Sequence, residues 1–305
     1  MRDSPKIVQL VAAASLLLVV CAPRIIKGLT HTPLHQEHMV ASLAPQRIAS
    51  VSLVSDTILL RLLGTEHLAA VSWVIDWAEH SPLAGQVPAF IPRLTGDPEA
   101  IVALQPDLTV AATHSTPGLA ATLRTTGLEV LELSTASSLE AVISDVQQVG
   151  MRVGAATQAA RWSNELRTRI ATVESHARRR PKFRVLIVDS GYAQGLCTLA
   201  DDLLLRLNAI NPVRQAGLQG ALVLDAERLL AWQPQVIFVA VSPASAGADA
   251  RAELAQIPGY TVLQHAREWS PLRVVGIARS ALSSVSPLAV DALEAMDRIL
   301  EELEQ

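Results

Sequence analysis

A pattern that occurs twice constrains the fold of this chain more than any other feature. The stretches EAIVALQPDLTVAA, from Glu99, and ERLLAWQPQVIFVA, from Glu227, begin 128 residues apart (227 − 99 = 128). In each stretch, apolar residues three apart share a helical face, a proline (Pro106 or Pro234) ends the helix, and an apolar run follows. Each stretch is therefore predicted to form a helix, a turn and a buried strand.

A second repeated pattern precedes each copy. RIASVSLVSDTILLRLLG begins at Arg47, and RVLIVDSGYAQGLCTLADDLLLRL begins at Arg184. Each predicts a strand, a polar loop and a helix that contains LLRL. Two matching halves of alternating strands and helices favour two α/β lobes with mainly parallel sheets.

The first half is longer between its landmarks. The LLRL copies, at Leu59 and Leu204, are 145 residues apart, so the first half carries 17 more residues (145 − 128 = 17) between LLRL and the glutamate. These extra residues include SWVIDWAEHSP, from Ser72. Residues 155–180, between the halves, contain no Pro or Gly. As a helix they would span about 39 Å at about 1.5 Å per residue, enough to run along both lobes.

The N-terminus has the features of an export signal. Arg2 and Lys6 are followed by an apolar, uncharged run over residues 7–20, which is short for a membrane span and typical of a signal peptide. The segment LVVC, which ends at Cys21, resembles a lipoprotein cleavage box, although Val20 departs from the small residue usual before the cysteine. Lipidation at Cys21, an uncleaved anchor and ordinary cleavage all remain open, and each exports the chain. The expected location is the periplasm or a membrane-anchored, extracytoplasmic position.

Residues 23–45 lack periodicity and are interpreted as a linker. They carry three histidines, which leaves a small metal-catching tract as the alternative, although no Cys or carboxylate cluster completes a site. The predicted domains are a signal or anchor segment (1–22), this linker (23–45), an N-terminal lobe (46–154), a bridging helix (155–180) and a C-terminal lobe (181–305).

Composition excludes some classes of partner. The net charge of −4 provides no basic excess for binding a nucleic acid. With Cys21 lost or lipidated, Cys197 is left alone and no intramolecular disulfide is available. No cofactor is expected.

The ordered set of motifs resembles a known family. The two Arg-led segments, the two Glu-led units and VSPLAVDALEAMDRIL near the end are similar in order and approximate spacing to the substrate-binding proteins of ABC importers for cobalamin, haem and ferric siderophores. The resemblance covers most of residues 46–303. It implies two Rossmann-like lobes bridged by one long helix, the class III architecture, with a metal chelate held in the cleft between them.

The resemblance also implies a role for the repeated glutamates. In this family a surface Glu on each lobe meets Arg residues of a dimeric permease, which works with an ATPase, and the matching positions are Glu99 and Glu227. Two carboxylates at equivalent places suit a two-fold partner. The alternative is that each Glu only favours the first turn of its helix through the helix dipole. The binding protein itself is expected to be a monomer.

Ligand residues are expected near the carboxyl ends of the strands. Trp73 and Trp77, in the extra segment, and Trp269 are candidates for holding a planar chelate, with core packing as the alternative. Arg93 and Arg279 could neutralise an anionic chelate, with a solvated surface position as the alternative. Tyr192 lies between Gly191 and Gly195 in a loop that suits either close ligand approach or a plain turn.

Two other functions remain open. No G-x-S-x-G, H-E-x-x-H or phosphate-binding motif is present, and the histidines are scattered, so an enzyme is not expected. A surface scavenger or receptor on the same fold, without a permease, is the other alternative. The sequence does not distinguish a ferric siderophore from a cobalamin-type ligand.

Overall fold

Each predicted half of the chain contains one five-stranded sheet in the computed structural model, which describes residues 44–113, 118–133, 136–242, 249–260 and 273–304. The N-terminal sheet contains β1 (Ile48–Ser50), β2 (Leu68–Ser72), β3 (Arg93–Leu94), β4 (Leu108–Ala112) and β5 (Val130–Leu133). The C-terminal sheet contains β6 (Val185–Asp189), β7 (Tyr192–Gln194), β8 (Ala221–Val223), β9 (Val236–Val241) and β10 (Arg273–Ala278).

The described helices alternate with these strands. They are α1 (Leu53–Leu63), α2 (Pro98–Ala103), α3 (Leu119–Thr125), α4 (Leu139–Arg152), α5 (Ala156–Ala177), α6 (Leu199–Arg206), α7 (Pro212–Gln215), α8 (Ala226–Trp232), α9 (Asp249–Ala255), α10 (Arg279–Leu282) and α11 (Ala289–Glu302). A 3₁₀ turn, Trp73–Asp76, follows β2.

The two sheets share a parallel core. The N-terminal sheet has the order β3-β2-β1-β4-β5, and all its strand pairs are parallel. The C-terminal sheet has the order β10-β9-β6-β7-β8, with parallel pairing among β10, β9 and β6 and antiparallel pairing for β7 and β8. The predicted fold class, two α/β lobes with mainly parallel sheets, is confirmed.

Both faces of each sheet are covered, as parallel strands require. In β6, Val185 and Ile187 pack into one apolar cluster, whereas Leu186 and Val188 pack into another on the opposite face. In β1, Ile48 and Ala49 alternate in the same way between two clusters. Near-continuous apolar strands are therefore explained by burial on both sides.

Two antiparallel helices connect the cores of the lobes. Helix α5 contributes Ala159 to the N-terminal cluster and Ile170 to the C-terminal cluster, and Trp162 packs against both. Helix α4 does the same with Val146 and Val142. Close contact with α5 requires glycine at 150, because a Cβ there would lie 2.2 Å from the Cβ of Ala159.

The long helix is shorter than the predicted stretch of 155–180. It ends at Ala177, with a helical length of about 33 Å at about 1.5 Å per residue. Arg180 then turns inward, where its guanidinium lies 2.6 Å from the carboxylate of the buried Asp297.

Within the described residues, no helix combines the length and apolar character needed to cross a membrane. The predicted signal segment, most of the linker and Cys21 lie outside the described residues.

Candidate functional site: an interlobe cleft and two matching helix corners

The corner between helix and strand is built the same way in both lobes. Arg47 donates a hydrogen bond from its guanidinium to the carbonyl of Leu104 (2.9 Å), which ends α2. Arg184 donates two, of 3.0 and 2.7 Å, to the carbonyl of Trp232, which ends α8. Each arginine precedes the first strand of its lobe and caps the C-terminus of the repeated helix.

The turns after these helices also match. Gln105 and Gln233, each just before the repeated proline, adopt left-handed backbone angles, with φ of 48° and 44°. At the start of the helices, the side chain of Asp97 accepts a hydrogen bond from the amide of Glu99, and that of Asp225 accepts one from Arg228. The same caps at both ends hold the two helices in the same way.

Glu99 and Glu227 lie in the first turns of α2 and α8, and both are exposed. Within the described part of the chain, neither carboxylate forms an ion pair. Their role in docking stays a prediction, since no contact here tests it. Trp232, the equivalent of Leu104 in the repeat, is 8% exposed and packs in an apolar cluster of the C-terminal lobe.

The cleft is defined here as the space between the carboxyl ends of the two sheets. On its N-terminal side, the 3₁₀ turn after β2 presents Trp73 and Trp77, which are 47% and 45% exposed. Their rings are stacked with centroids 5.7 Å apart, and the ring of His80 lies 4.2 Å from that of Trp77. Neither tryptophan is core, so the two form an aromatic surface that a planar ligand could contact.

Arg93 is engaged within its own lobe. Its guanidinium forms a bidentate ion pair with Asp76 (2.7 and 3.1 Å) and donates to the carbonyls of Val87, Pro88 and Ile91. The hydrogen bonds from Arg93 lower the pKa of the Asp76 carboxyl. Arg93 therefore holds the loop that carries the tryptophans, while a direct contact with ligand stays a prediction.

Serines lie at the start of α1, beside the cleft in the N-terminal lobe. Ser52 is the N-cap of α1, and Ser55 completes a reciprocal capping box with it. Behind them, the fully buried Asp56 accepts hydrogen bonds from the amide and hydroxyl of Ser72. Burial raises the pKa of Asp56 to about 7, although these hydrogen bonds oppose the shift.

Arg279 lies on the C-terminal side, directly after β10, and is 7% exposed. It donates to the hydroxyl of Ser190 (2.7 Å) and to the carbonyl of Ala240 (3.0 Å), near the ends of β6 and β9. Its ion-pair partners are Asp189 (3.0 Å), Glu253 (3.6 Å) and, from the N-terminal lobe, Glu79 (3.8 Å). The Nε atom is buried and has no hydrogen-bond partner.

One small cavity lies between the lobes, and a second lies at the carboxyl end of β6 in the C-terminal lobe. The smaller, of about 150 Å³, is bounded by Val54 and His80 from one lobe and by Arg279 and Ser284 from the other. The second, of about 260 Å³, lies among Asp189, Gln194, Cys197, Ser283 and Ala136. Pockets for drug-sized ligands have volumes of about 300–1,000 Å³, so neither cavity would enclose such a ligand. A larger chelate would also need the aromatic surface outside them.

The largest of the described cavities, of about 460 Å³, lies elsewhere. It is lined by the second half of α1, by α5 around Trp162 and by the start of α11. Its charged groups pair with each other, Arg61 with Glu165 and Arg169 with Asp291. The cleft remains the better candidate site because it lies at the strand ends and contains a cation, Arg279, whose Nε makes no hydrogen bond.

Tyr192 begins β7, pairs with Asp189 across a hairpin and is 44% exposed. Ser190 and Gly191 form the two-residue turn, both with positive φ (50° and 80°), as tight hairpins require. A Cβ at position 195 would lie 2.5 Å from the carbonyl oxygen of Leu218, so Gly195 permits backbone packing. These glycines fit the plain-turn alternative. Trp269 lies outside the described residues.

Several residues of the site were not predicted from the sequence, and only some of them have a signal there. Glu79, Ser190 and Glu253 surround Arg279 only because separate chain segments meet at the strand ends. Phe90, 83% exposed in the loop that also carries the tryptophans, could have been singled out as one of three phenylalanines in the chain. Arg47 and Arg184 stand at the start of the repeated segments, a signal that could have been used.

Among the described residues, no cluster of three or more His, Cys, Asp or Glu side chains could hold a metal ion.

The architecture matches that of known proteins. A family model described as "periplasmic binding protein" matches residues 48–267. The chain belongs to this family of periplasmic binding proteins. The family is made up of substrate-binding proteins rather than enzymes. A comparison with curated proteins found no match.

Solved structures with the same fold include proteins whose names specify haem, vitamin B12 or Fe3+-hydroxamate. A periplasmic haem-binding protein of Pseudomonas aeruginosa is 24% identical, with a TM-score of 0.66 over 83% of this chain and 91% of that one. The periplasmic vitamin B12-binding protein of Vibrio cholerae is 20% identical, with a TM-score of 0.64 over 85% and 97%. A protein of an ABC-type Fe3+-hydroxamate transport system from Saccharomonospora viridis is 19% identical, with a TM-score of 0.62 over 84% and 93%. At these identities the likeness shows the fold.

Proposed function

We propose that this periplasmic binding protein is exported, captures a metal chelate in the cleft and delivers it to the dimeric permease of an ABC importer. The chelate is a ferric siderophore or a cobalamin-type ligand. The observation that carries the proposal is the cleft itself, where an exposed stacked tryptophan pair faces solvent on one lobe and a buried arginine whose Nε makes no hydrogen bond lies on the other.

The chemistry of the two sides is complementary to such a ligand. Trp73 and Trp77 provide a planar apolar surface for a ring or an aromatic chelating group. Arg279 provides a positive charge for a carboxylate, propionate or catecholate oxygen. Tyr192, Arg93 and Trp269 remain candidates for further contacts, and Phe90 adds exposed aromatic surface.

Delivery is assigned to Glu99 and Glu227. Both are exposed and free of ion pairs within the described part of the chain, and the matching corners present them in the same way on the two lobes. A permease dimer with an arginine at each equivalent site would pair with both. The haem, B12 and Fe3+-hydroxamate proteins of the same fold support this class of ligand and transport.

The test of ligand capture is a titration of the purified chain with cobalamin, haemin, a ferric hydroxamate and a ferric catecholate, followed by calorimetry and tryptophan fluorescence. We expect one of them to bind saturably. Trp77→Ala should weaken it about tenfold, and Trp162→Phe, away from the cleft, should not. Absence of binding across the panel by a folded sample would contradict the proposal.

The test of delivery is uptake of that chelate by the cells that make the protein. The double variant Glu99→Arg with Glu227→Arg should lose uptake and keep chelate affinity. Glu66→Arg with Glu302→Arg is the matched control, since both are exposed and the change in net charge is the same. Unchanged uptake with the first variant would instead favour a surface scavenger that needs no permease.

A further inference from the structure

Each repeated helix exposes an aliphatic residue at the same position. Val102 of α2 is 36% exposed and Leu230 of α8 is 43% exposed. They lie 128 residues apart (230 − 102 = 128), which is also the separation of Glu99 and Glu227. Each follows its glutamate by three residues, so carboxylate and aliphatic side chain are neighbours on one helix face.

The orientation of this face is determined in the same way in both lobes. The residue before each aliphatic side chain, Ile101 or Leu229, is fully buried and anchors its helix to the core. The arginine caps and left-handed glutamines described above hold the ends. The two pairs, Glu99 with Val102 and Glu227 with Leu230, are therefore presented equivalently by the two sheets.

The fold does not require apolar side chains at these positions. Neither Val102 nor Leu230 belongs to an apolar cluster, although their neighbours Ile101 and Leu229 do. An exposed aliphatic residue by itself is ordinary. Its recurrence at equivalent positions, beside an unpaired carboxylate in both lobes, requires an explanation.

We propose that each pair makes a two-point contact with the permease. The permease would carry a cation beside an apolar pocket at each of two symmetry-related sites. This inference rests on the proposed function and extends it, because it adds Val102 and Leu230 to the docking surface. Duplication on both lobes matches a partner with two equivalent sites. An exposed aliphatic residue becomes desolvated on docking, and the carboxylate beside it selects the cationic position.

The test combines two variants with site-specific photocrosslinking in the cells that make the protein. Val102→Ser with Leu230→Ser should reduce uptake of the chelate at least tenfold, with thermal stability and chelate affinity unchanged. Val223→Ser with Leu205→Ser is the matched control, since these residues are of the same types, are 53% and 50% exposed and lie outside α2 and α8. The control should transport normally.

A photoreactive amino acid at 102, and separately at 230, should crosslink to the same membrane polypeptide, whereas one at 205 or 223 should not. Crosslinks from the two positions to different proteins, to a second copy of this chain or to nothing would overturn the inference. Loss of uptake with the glutamate variants but not with the serine variants would overturn it and leave the proposed function intact. A folded chain that binds no chelate would overturn the proposed function instead.

Discussion

The Nε atom of Arg279 lies 3.8 Å from a carboxylate oxygen of Glu79, so an ion pair joins the two lobes across the cleft. Glu79 is 40% exposed in its side chain, whereas Arg279 is buried. An anionic ligand would compete with Glu79 for Nε, the nitrogen of the Arg279 guanidinium that makes no hydrogen bond.

The first prediction concerns this competition. Glu79→Gln should strengthen binding of an anionic chelate about two- to fivefold, because a pair with one exposed partner and 3.8 Å between its charged atoms contributes about 1 kcal/mol. Binding of an uncharged chelate should not change. Arg279→Gln should weaken the anionic ligand. Calorimetric titration measures the affinity in all three cases. Weaker binding of the anionic chelate by the Glu79 variant would contradict the prediction and show that Glu79 contributes to binding.

The second prediction is a pH dependence from Asp56. Burial raises its pKa from the ordinary 3.8 to about 7 in the folded protein, so between these pH values the folded state holds a proton that the unfolded state has released. The free energy of unfolding should therefore fall as pH rises from about 4 to about 7, by up to about 1.4 kcal/mol per pH unit. Asp56→Asn should remove the part of this slope that Asp56 contributes.

Urea unfolding at several pH values measures the effect. Asp145, whose pKa burial raises to about 6, contributes in the same direction, so Asp56→Asn should keep part of the slope and the double variant with Asp145→Asn should keep less. A slope that does not change on replacing either aspartate would contradict the prediction.

The third prediction concerns the buried ion pair that follows the long helix. Arg180 and Asp297 are 6% and 4% exposed, and their charged atoms lie 2.6 Å apart. Asp297→Ala should lower the free energy of unfolding by about 3 kcal/mol, because it leaves a buried guanidinium without its carboxylate. Asp291→Ala should lower it by less than about 1 kcal/mol, since Asp291 is exposed and Arg169 keeps Glu294. Equal effects in denaturation experiments would be inconsistent with this account.

The fourth prediction concerns the repeated left-handed glutamine. Gln233→Gly should raise the free energy of unfolding by about 0.5 kcal/mol, because relief of the strain at a φ of 44° exceeds the added chain entropy of glycine. Gln105→Gly should act in the same direction. The same replacement at Gln158, within α5, should lower stability by about 1 kcal/mol. Thermal unfolding of the three variants measures these changes in stability, and a loss of stability in Gln233→Gly would contradict the prediction.

The sequence by itself determined the two lobes and the position of their repeated units. Periodicity and proline act over a few residues, so the pattern from Glu99 to Ala112, and its copy from Glu227, predicts a helix, a turn and a strand wherever the chain places them. Burial of Trp232 followed from its match with Leu104. The docking roles of Glu99 and Glu227 and the ligand roles of Trp73, Trp77 and Arg279 stay predictions.

Only the tertiary structure decided which side chains meet. Arg93 and Arg279 are both arginines near strand ends, yet Arg93 is held by Asp76 and three nearby carbonyls, whereas Arg279 has partners from four separate segments and an Nε atom that makes no hydrogen bond. Glu79 and Arg279 are 200 residues apart (279 − 79 = 200). Local patterns carry no information about such pairs, because they form where the strand ends of two sheets converge after the cores have packed.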